Sequence, residues 1–420
     1  MARPEAVVTS RFAQLRQQDL AVLLPELLLA GQLIDRSGMA WCIGAFGRAE
    51  MTRIAVEEWM AASPVYTRRM QRALGFEGTD VVTIFKGLQL DIGAPPQFMD
   101  FRYTVHDRWH GEFRLDHCGA LMDVEPLGDE FVTGMCHDIE DPTFDATAVA
   151  TNPRARVRPI HRPPRTPADR HPHCAWTVVI DDAHPPVGES PGCQRLRSSR
   201  AATVALDPIE PGDDGHADYS GPLRGDLDFA EFSKSALVRL ADEVCLQMHL
   251  LNLGFGHAVR RRTDAEGARR LCVKQLTGIA GIAAQRLHRA LRLPGGVEGA
   301  LRVLELHPLL NPAAYVRAAV GDAVTVTPSP AHEDGAWISL CGPAERRPLR
   351  AVVQAVDPRL DVEVEGTAEE WTARVVTRAV PARELDEVAV TRISTGSSFT
   401  FEPRRSLPIT PVGRESRVQT

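Results

Sequence analysis

Residues 134–141 read GMCHDIED and place a thiol, an imidazole and acidic side chains next to one another. A cysteine acts as a nucleophile when an adjacent imidazolium or a helix N-terminus lowers its pKa. A carboxylate beside it can transfer protons or orient the histidine. We therefore predict a catalytic group made of Cys136, His137, Asp138 and Glu140.

The carboxylate that works with Cys136 depends on the local backbone. In a strand, alternate side chains share a face, so Asp138 would lie beside Cys136 and His137 would point away. In a helix, residues four apart share a face, so Glu140 would lie beside Cys136. The local sequence leaves both choices of acid open.

Three thiols could instead bind a metal, because each is adjacent to a histidine. The pairs are His117-Cys118, Cys136-His137 and His173-Cys174. Three cysteines and one histidine form a known zinc set, although the spacing matches no zinc finger or ribbon. The alternative prediction is therefore a metalloenzyme or ligand-binding protein, with zinc or iron held by these thiols. His106 and His110 add two imidazoles, in a segment that we interpret as strand or turn.

Composition limits the class of protein. The chain has 420 residues, a net charge of −7 and a pI near 6.1, which argue for two or three domains and against a nucleic-acid surface. Its eight cysteines follow no disulfide framework, which indicates reduced thiols. With no signal-peptide pattern and no apolar run of spanning length, we expect a cytoplasmic protein without a membrane partner. The few lysines among many arginines fit a GC-rich bacterial genome.

Apolar residues recur with helical periodicity over residues 23–75, and strand-like segments follow. Residues 181–228 are rich in Pro, Gly and Asp and are predicted to be a linker, in which Cys193 would be exposed. Helical periodicity returns at 236–255 and 264–293. The predicted strands are FRYTV, EFRLDH, EFVTGM and AWTVVI in the first half, and AVTVTP, AWISLC, LRAVVQAV and SSFTFEP in the second.

This repeated order predicts an α+β fold of two tandem related halves, each a helical layer followed by an antiparallel β-sheet. We expect an N-terminal half at 1–180, the linker at 181–228, a degenerate second copy at 229–405 and a flexible tail at 406–420. Colinear residue matches support the repeat. They pair Glu50 with Glu266, Arg72-Ala73-Leu74 with Arg289-Ala290-Leu291, Cys118-Gly119 with Cys341-Gly342, Asp141-Pro142 with Asp357-Pro358, and Cys174 with Ser397.

The second copy is an internal control for the polar cluster. In this pairing Val352, Val353 and Gln354 stand opposite the Cys-His-Asp triplet, so the second half folds without those groups. We interpret the cluster as chemistry that one half has kept and the other has lost. The second half would then be an intramolecular partner, and the chain a pseudodimer.

Four motifs of the first half resemble the L-2-amino-thiazoline-4-carboxylate hydrolase family, over roughly residues 100–180. They are Cys118 in LDHCGALMD, Cys136 in GMCHDIED, Asn152-Pro153 in TNPRARVRP, and the opening of a strand by Cys174-Ala175-Trp176. The acid position of that family, three residues after the cysteine, is Ile139 here, with Asp138 and Glu140 on either side.

The resemblance implies a small-molecule hydrolase or lyase that acts on a carbon–nitrogen or carbon–sulfur bond. Cys136 would be the nucleophile or a metal ligand, Asp138 or Glu140 would move protons, and Cys118 and Cys174 would hold the site. The small-molecule substrate would carry a carboxylate, which an arginine could bind. The candidate arginines are Arg102, Arg108, Arg114, Arg154 and Arg156.

Overall fold

The computed structural model describes residues 9–212 and 214–393 as a mixed α+β protein with two four-stranded antiparallel sheets. The predicted strand SSFTFEP, the tail predicted at 406–420 and Ser397 lie outside these residues. Among the described helices, not one is both long and apolar enough to cross a bilayer.

The first half places three helices before its first hairpin and inserts three short ones between the hairpin and the last two strands. The helices are α1 (Gln17–Phe46), α2 (Arg48–Ala73), α3 (Val81–Gln89), α4 (Gly119–Val124), α5 (Asp129–Thr133) and α6 (Glu140–Val149), and the strands are β1 (Met99–Val105), β2 (His110–Cys118), β3 (Ala155–His161) and β4 (Cys174–Ile180). A π-helical turn, Gly134–Ile139, joins α5 to α6. The strand order is β1-β2-β4-β3.

The predicted linker at 181–228 contains two short helices, α7 (Pro191–Leu196) and α8 (Arg200–Thr203). Cys193 lies in α7 and is fully buried, so the expectation of an exposed thiol was wrong. The reason is that α7 packs against both α2 and the first long helix of the second half, and therefore covers the joint between them.

The second half repeats the order of the first. Its helices are α9 (Lys234–Arg260), α10 (Ala265–Ala290), α11 (Gly296–Leu306), α12 (Pro330–Glu333), α13 (Arg347–Val356) and α14 (Asp386–Ile393), and its strands are β5 (Ala318–Val320), β6 (Val324–Val326), β7 (Leu360–Gly366) and β8 (Trp371–Thr377). The strand order β5-β6-β8-β7 matches that of the first sheet. Short 3₁₀ turns occur at Arg11–Gln14, Glu125–Leu127, Phe229–Glu231, Pro308–Leu310 and Trp337–Leu340.

The long helices of the two halves exchange partners. Helix α1 packs mainly against α9 and α10, and α2 packs mainly against α9, whereas contacts within each helix pair are fewer. Their buried faces are almost entirely apolar and form the centre of the core. The turn between α1 and α2 is a single residue, Gly47, whose φ of 83° suits glycine.

The repeat is most regular in these helices. Helices α2 and α10 end at equivalent alanines, Ala73 and Ala290, and each is followed by a leucine C-cap, as the sequence pairing predicted. When α1 and α9 are aligned at their first residues, Gln17 and Lys234, the same register continues through α2 and α10.

The sequence pairing of Asp141-Pro142 with Asp357-Pro358 is wrong, because Asp141 lies in the first turn of α6 whereas Asp357 follows α13. The pairing of Cys136-His137-Asp138 with Val352-Val353-Gln354 has the same register and is also wrong, because the first triplet precedes α6 and the second lies inside α13. The true counterpart of Asp357 is Asn152, since both precede an edge strand and make the same turn. The Asn152 side chain accepts from the backbone N–H of Arg154 at 2.9 Å, and the Asp357 side chain accepts from that of Arg359 at 2.8 Å.

Three predicted strands are helical instead. Residues 130–135 belong to α5 and the π-helical turn, 336–341 include a 3₁₀ turn, and 349–356 belong to α13. In α13 the valines lie on one buried face, so tertiary packing overrides their preference for strands. Cys341 follows the 3₁₀ turn, whereas Cys118 ends β2, so these two thiols do not hold equivalent places. Aligning Asn152 with Asp357 instead places Cys341 opposite Cys136, so the second half keeps a thiol at that position.

Candidate functional site

Glu140 is the first residue of α6, and its side chain reaches into the interior. Its Oε2 atom is buried and has no hydrogen-bond partner. Burial raises the pKa of Glu140 to about 8, with Arg162 lowering it and Asp141 raising it further. The carboxyl group is therefore largely protonated at neutral pH and can donate a proton.

Cys136 lies one turn before Glu140, within the π-helical turn Gly134–Ile139, and is buried. Of the two backbones considered for this segment, the structure has the helical one, which places Cys136 and Glu140 on the same side. π-Helical turns are rare and often occur at functional sites, because they change the direction of side chains within a helix.

Cys118 and Cys174 approach the same region from the sheet. Cys118 ends β2 and caps α4, where its Sγ atom accepts from the backbone N–H of Leu121 at 3.4 Å. Cys174 begins β4 and pairs with Leu115 of β2. Both are buried, as are all eight cysteines, each of which is a free thiol.

Glu140 is the common neighbour of the three thiols. Burial raises the pKa of Cys118 to about 12, and the Glu140 carboxylate raises it further. Burial and then Glu140 also raise the pKa values of Cys136 and Cys174. All three sulfurs therefore carry protons at neutral pH, in contrast to the lowered thiol pKa that an adjacent imidazolium would produce.

The other two members of the predicted catalytic group lie differently. Asp138 is exposed, so it does not share the buried side of Cys136. His137 is half-buried, and its Nε2 atom is hydrogen-bonded to the backbone carbonyl of Pro163 at 2.7 Å. Of the two candidate acids, Glu140 has the position and the protonation that a proton donor needs.

The three sulfurs do not form a compact ligand set. In the described chain, the one group of three or more His, Cys, Asp or Glu ligand atoms that lie within 4.8 Å of one another is His106, His110 and Glu112. That group lies on the exposed hairpin between β1 and β2. Zinc holds thiolates at about 2.3 Å from the metal, which requires closer sulfurs than these. Metal binding by the three cysteines stays a prediction.

A cavity of about 80 Å³ lies beside Glu140, between the helices of the first half and its sheet. Its polar wall comprises Gln32, Asp35, Tyr66, Asp91, Glu140 and Thr143, and its aromatic wall comprises Trp59, Phe101 and Phe144. Phe144 packs edge-on against Trp176 of β4 at a ring distance of 5.0 Å, which fixes this wall.

Two buried carboxyl groups adjoin at the back of this cavity. Asp35 of α1 is 5% exposed and Glu58 of α2 is 0% exposed. Burial raises the pKa values of both, and their mutual repulsion raises that of Glu58 further. A side-chain hydrogen bond joins the two carboxyl groups when one of them is protonated. Apart from that bond, the Glu58 oxygens and the Oδ1 atom of Asp35 have no partner. The two groups cannot both ionise at neutral pH in such a site.

A third buried acid, Asp91, is held differently. Its Oδ1 atom accepts from the hydroxyl of Tyr66 at 2.8 Å and from the backbone N–H of Gly93 at 2.6 Å. Burial raises its pKa to about 6, although these two hydrogen bonds lower it. Sequence reasoning missed Asp35, Glu58 and Asp91; the signal available was an acid within a long apolar helical run.

The second half has non-acidic residues at the equivalent positions. In the register of the long helices, Asn252 corresponds to Asp35 and Gln275 corresponds to Glu58. The amide nitrogen of Asn252 donates to Gln275 Oε1 at 2.9 Å, so the pair is joined by a hydrogen bond. The same fold position therefore holds two acids in one half and two amides in the other.

Asp91 also has a non-acidic counterpart. His307 follows α11 as Asp91 follows α3, and its Nδ1 atom accepts from Leu309 N just as Asp91 accepts from Gly93 N. Glu140 is different, because aligning Asn152 with Asp357 places Glu345 opposite it. Glu345 pairs with Arg347, which lowers the pKa of this carboxyl group against the effect of burial. The acids Asp35, Glu58 and Asp91 are thus specific to the first half, whereas Glu140 has an acidic counterpart.

The arginines expected to bind a substrate carboxylate are occupied elsewhere and do not line the cavity. Arg102 pairs with Asp100 and Asp226, Arg108 stacks on Trp109, Arg114 pairs with Asp116, and Arg154 and Arg156 bond backbone carbonyls of residues 182–185. Nearer the site, Arg162 lies over Trp176 and pairs with Asp141.

No protein-family model, curated protein or solved structure matches this chain. The resemblance to the aminothiazoline carboxylate hydrolases therefore remains an expectation from the sequence motifs. A functional proposal therefore depends on the geometry of the first half.

Proposed function

We propose that the chain is a small-molecule hydrolase or lyase that cleaves a carbon–nitrogen or carbon–sulfur bond. Glu140 would be the acid–base group and Cys136 the nucleophile. The observation that carries this proposal is the position of Glu140: a buried, protonated carboxyl group that lines a cavity and influences all three thiols. A protonated acid beside a thiol fits a reaction in which sulfur or nitrogen must leave with a proton.

The proposed reaction conserves protons within the site. The Cys136 sulfur bonds to the electrophilic carbon as its proton passes to the unprotonated oxygen of the Glu140 carboxyl group. In the same step the proton on the other Glu140 oxygen passes to the departing nitrogen or sulfur, whose bond to carbon breaks. In a hydrolase, water then adds to that carbon, the carbon–sulfur bond to Cys136 breaks, and the thiol regains a proton from water.

The raised pKa of Cys136 suits this scheme because the thiol does not need to ionise before substrate arrives. Loss of its proton would be concerted with attack, and the dry surroundings would strengthen the proton transfer to Glu140. Cys118 and Cys174 would shape the floor of the site from the ends of β2 and β4.

We also infer that the two halves arose by duplication and that the second acts as a built-in partner. The matching strand orders and the shared register of the long helices support this inference. A half that no longer carries the acids would still provide α9 and α10 as supports for α1 and α2.

The test uses 2-amino-2-thiazoline and its 4-carboxylate as substrates, with ring opening followed by NMR. We expect Glu140→Gln and Cys136→Ser to lower turnover by about 100-fold or more, a usual loss for an acid–base group. Cys193→Ser, at a buried thiol in α7, is the matched control and should retain activity.

Asp138→Asn decides between the two acids that the sequence left open. Because Asp138 is exposed, this variant should keep most of the activity. Loss of turnover in Asp138→Asn with full turnover in Glu140→Gln would contradict the assignment. Metal analysis of the purified protein completes the test, since a bound stoichiometric metal on the thiols would favour the metalloenzyme alternative.

A further inference from the structure

The cavity beside Glu140 presents hydrogen-bond acceptors that the protein itself does not satisfy. Gln32 Oε1, Asp35 Oδ1 and Glu140 Oε2 are buried, have no hydrogen-bond partner, and belong to residues that line the cavity. Gln32 and Asp35 are 7% and 5% exposed, so water outside the protein does not compensate. Buried acceptors without donors are costly and usually have a partner in the functional state.

The wall lacks positive charge to match these acceptors. Among the described residues that line the cavity, acids and amides are present but neither lysine nor arginine is. The apolar part of the wall includes the rings of Trp59, Phe101 and Phe144, whose faces attract cations. The lining therefore favours a ligand that is positively charged and rich in N–H donors.

In the second half the equivalent polar side chains each have a hydrogen-bond partner within the protein, although His249 Nδ1 and Gln275 Nε2 have none. In the common register, His249 corresponds to Gln32, and its Nε2 atom is close to the carbonyls of Pro308 and Asn311 at 3.1 and 2.9 Å. Asn252 is bonded to Gln275. The fold therefore satisfies these positions in part, whereas Gln32 Oε1 and Asp35 Oδ1 belong to residues that line the cavity.

We propose that the cavity binds a small organic cation with several N–H donors, such as an amidinium or guanidinium group. The proposal rests on the proposed function in that it names the substrate class of the same site. A volume of about 80 Å³ equals roughly two to three waters, which suits a group of four to six heavy atoms. The N–H groups would donate to Gln32, Asp35 and Glu140.

This substrate class includes the amidine-type group of an aminothiazoline but not the carboxylate that the sequence resemblance implies. An anion would face Asp35, Asp91 and Glu140 without a cation in the wall. A bare divalent metal is also disfavoured, because the cavity acids are outside the group of ligand atoms that lie within 4.8 Å of one another. An amidinium is planar and can reach acceptors that are spread around it.

The test compares three ligands of the same shape and different charge: acetamidinium, acetamide and acetate. Binding to the full-length protein is measured by isothermal titration calorimetry at pH 7.5. We expect acetamidinium to bind at least about tenfold more tightly than acetamide, and acetate to show no binding. Equal affinities for the three ligands, or a preference for acetate, would overturn the proposal.

Asp35→Asn locates the binding. It should weaken acetamidinium binding by about tenfold or more, whereas Asp129→Asn, at an exposed acid in α5, should not. If Asp35→Asn folds poorly by circular dichroism, the double variant Asp35→Asn/Glu58→Gln replaces it, since it reproduces the Asn252–Gln275 pair. Unchanged acetamidinium affinity in a folded variant would refute the site.

The readout separates this proposal from the proposed function. Ligand affinity is measured without turnover, so a failure of acetamidinium to bind leaves the Glu140→Gln and Cys136→Ser activity tests standing. Conversely, tight acetamidinium binding with no loss of turnover in those two variants would keep the cation site and reject the proposed catalytic roles.

Discussion

Asp35 in α1 and Asn252 in α9 occupy the same position in two equivalent helices, and each adjoins the equivalent residue of the next helix, Glu58 or Gln275. The amide pair is joined by a hydrogen bond between neutral groups, whereas the acidic pair is joined only while one carboxyl group keeps its proton. The acidic pair therefore costs stability, which is expected where a fold serves a ligand.

Exchanging the pairs should change stability in opposite directions. Asp35→Asn/Glu58→Gln should raise the free energy of unfolding in urea at pH 8 by about 1–2 kcal/mol, because a neutral hydrogen-bonded amide pair replaces two buried acids that repel each other when both ionise. The reverse exchange, Asn252→Asp/Gln275→Glu, should lower it by about 2 kcal/mol or more. If both exchanges change the free energy of unfolding by the same amount and in the same direction, the acidic pair does not destabilise the first half.

Turnover should depend on the proton of Glu140. Because the pKa of this group is about 8 in the folded protein, kcat should fall as pH rises through 8 in the wild type. The Glu140→Gln variant should have a low kcat that no longer falls as pH rises through 8. If kcat of this variant still falls in that range, another group is responsible for the decline.

Stability should also depend on pH through Glu140. Its folded pKa of about 8 exceeds the ordinary value of 4.5, so between these values the folded state binds more protons than the unfolded state. The free energy of unfolding therefore falls as pH rises through this window, by at most about 1.4 kcal/mol per pH unit from this group. Urea unfolding of Glu140→Gln at pH 5 and pH 8 should show a weaker decline than the wild type.

The buried thiols should react slowly with iodoacetamide. Because burial and Glu140 raise the pKa values of Cys118, Cys136 and Cys174, modification at pH 7 should be much slower than that of a free cysteine. Mass spectrometry after digestion should show rates at these sites that keep rising to pH 10. A plateau for Cys136 near neutral pH would mean a low thiol pKa and would contradict the proposed concerted proton transfer.

The tight turn between α1 and α2 should tolerate only glycine well. Gly47→Ala should lower the free energy of unfolding by about 1 kcal/mol, because φ is 83° and an alanine there is strained. Gly44→Ala is the matched control, since Gly44 lies in α1 with open space around it and should be neutral or stabilising by up to about 1 kcal/mol. Equal losses in both variants would point away from the backbone cause.

Periodicity was enough to predict the long helices, the strands around Phe101, Phe113 and Trp176, and the repeat of one order of elements. It failed at 130–135 and 349–356, where short valine-containing segments pack as helices. Segments of this length contain too few residues to distinguish the helical period of 3.6 from the strand period of 2, so packing against neighbouring elements determines which structure forms.

The cysteines and Glu140 were also accessible from the sequence, since they cluster in motifs. Asp35 and Glu58 were not, because their proximity results from packing of α1 against α2 and neither belongs to a local pattern. The register that relates them to Asn252 and Gln275 becomes visible only when the helices are aligned at their first residues.

The exchange of helix partners has a mechanical consequence. Because α1 packs against α10 and α2 packs against α9, separating the two halves would expose the buried faces of the helices that carry Asp35 and Glu58. Neither half is therefore expected to fold independently. The chain should therefore unfold in one cooperative step, and destabilising substitutions in the second half should also destabilise the first half.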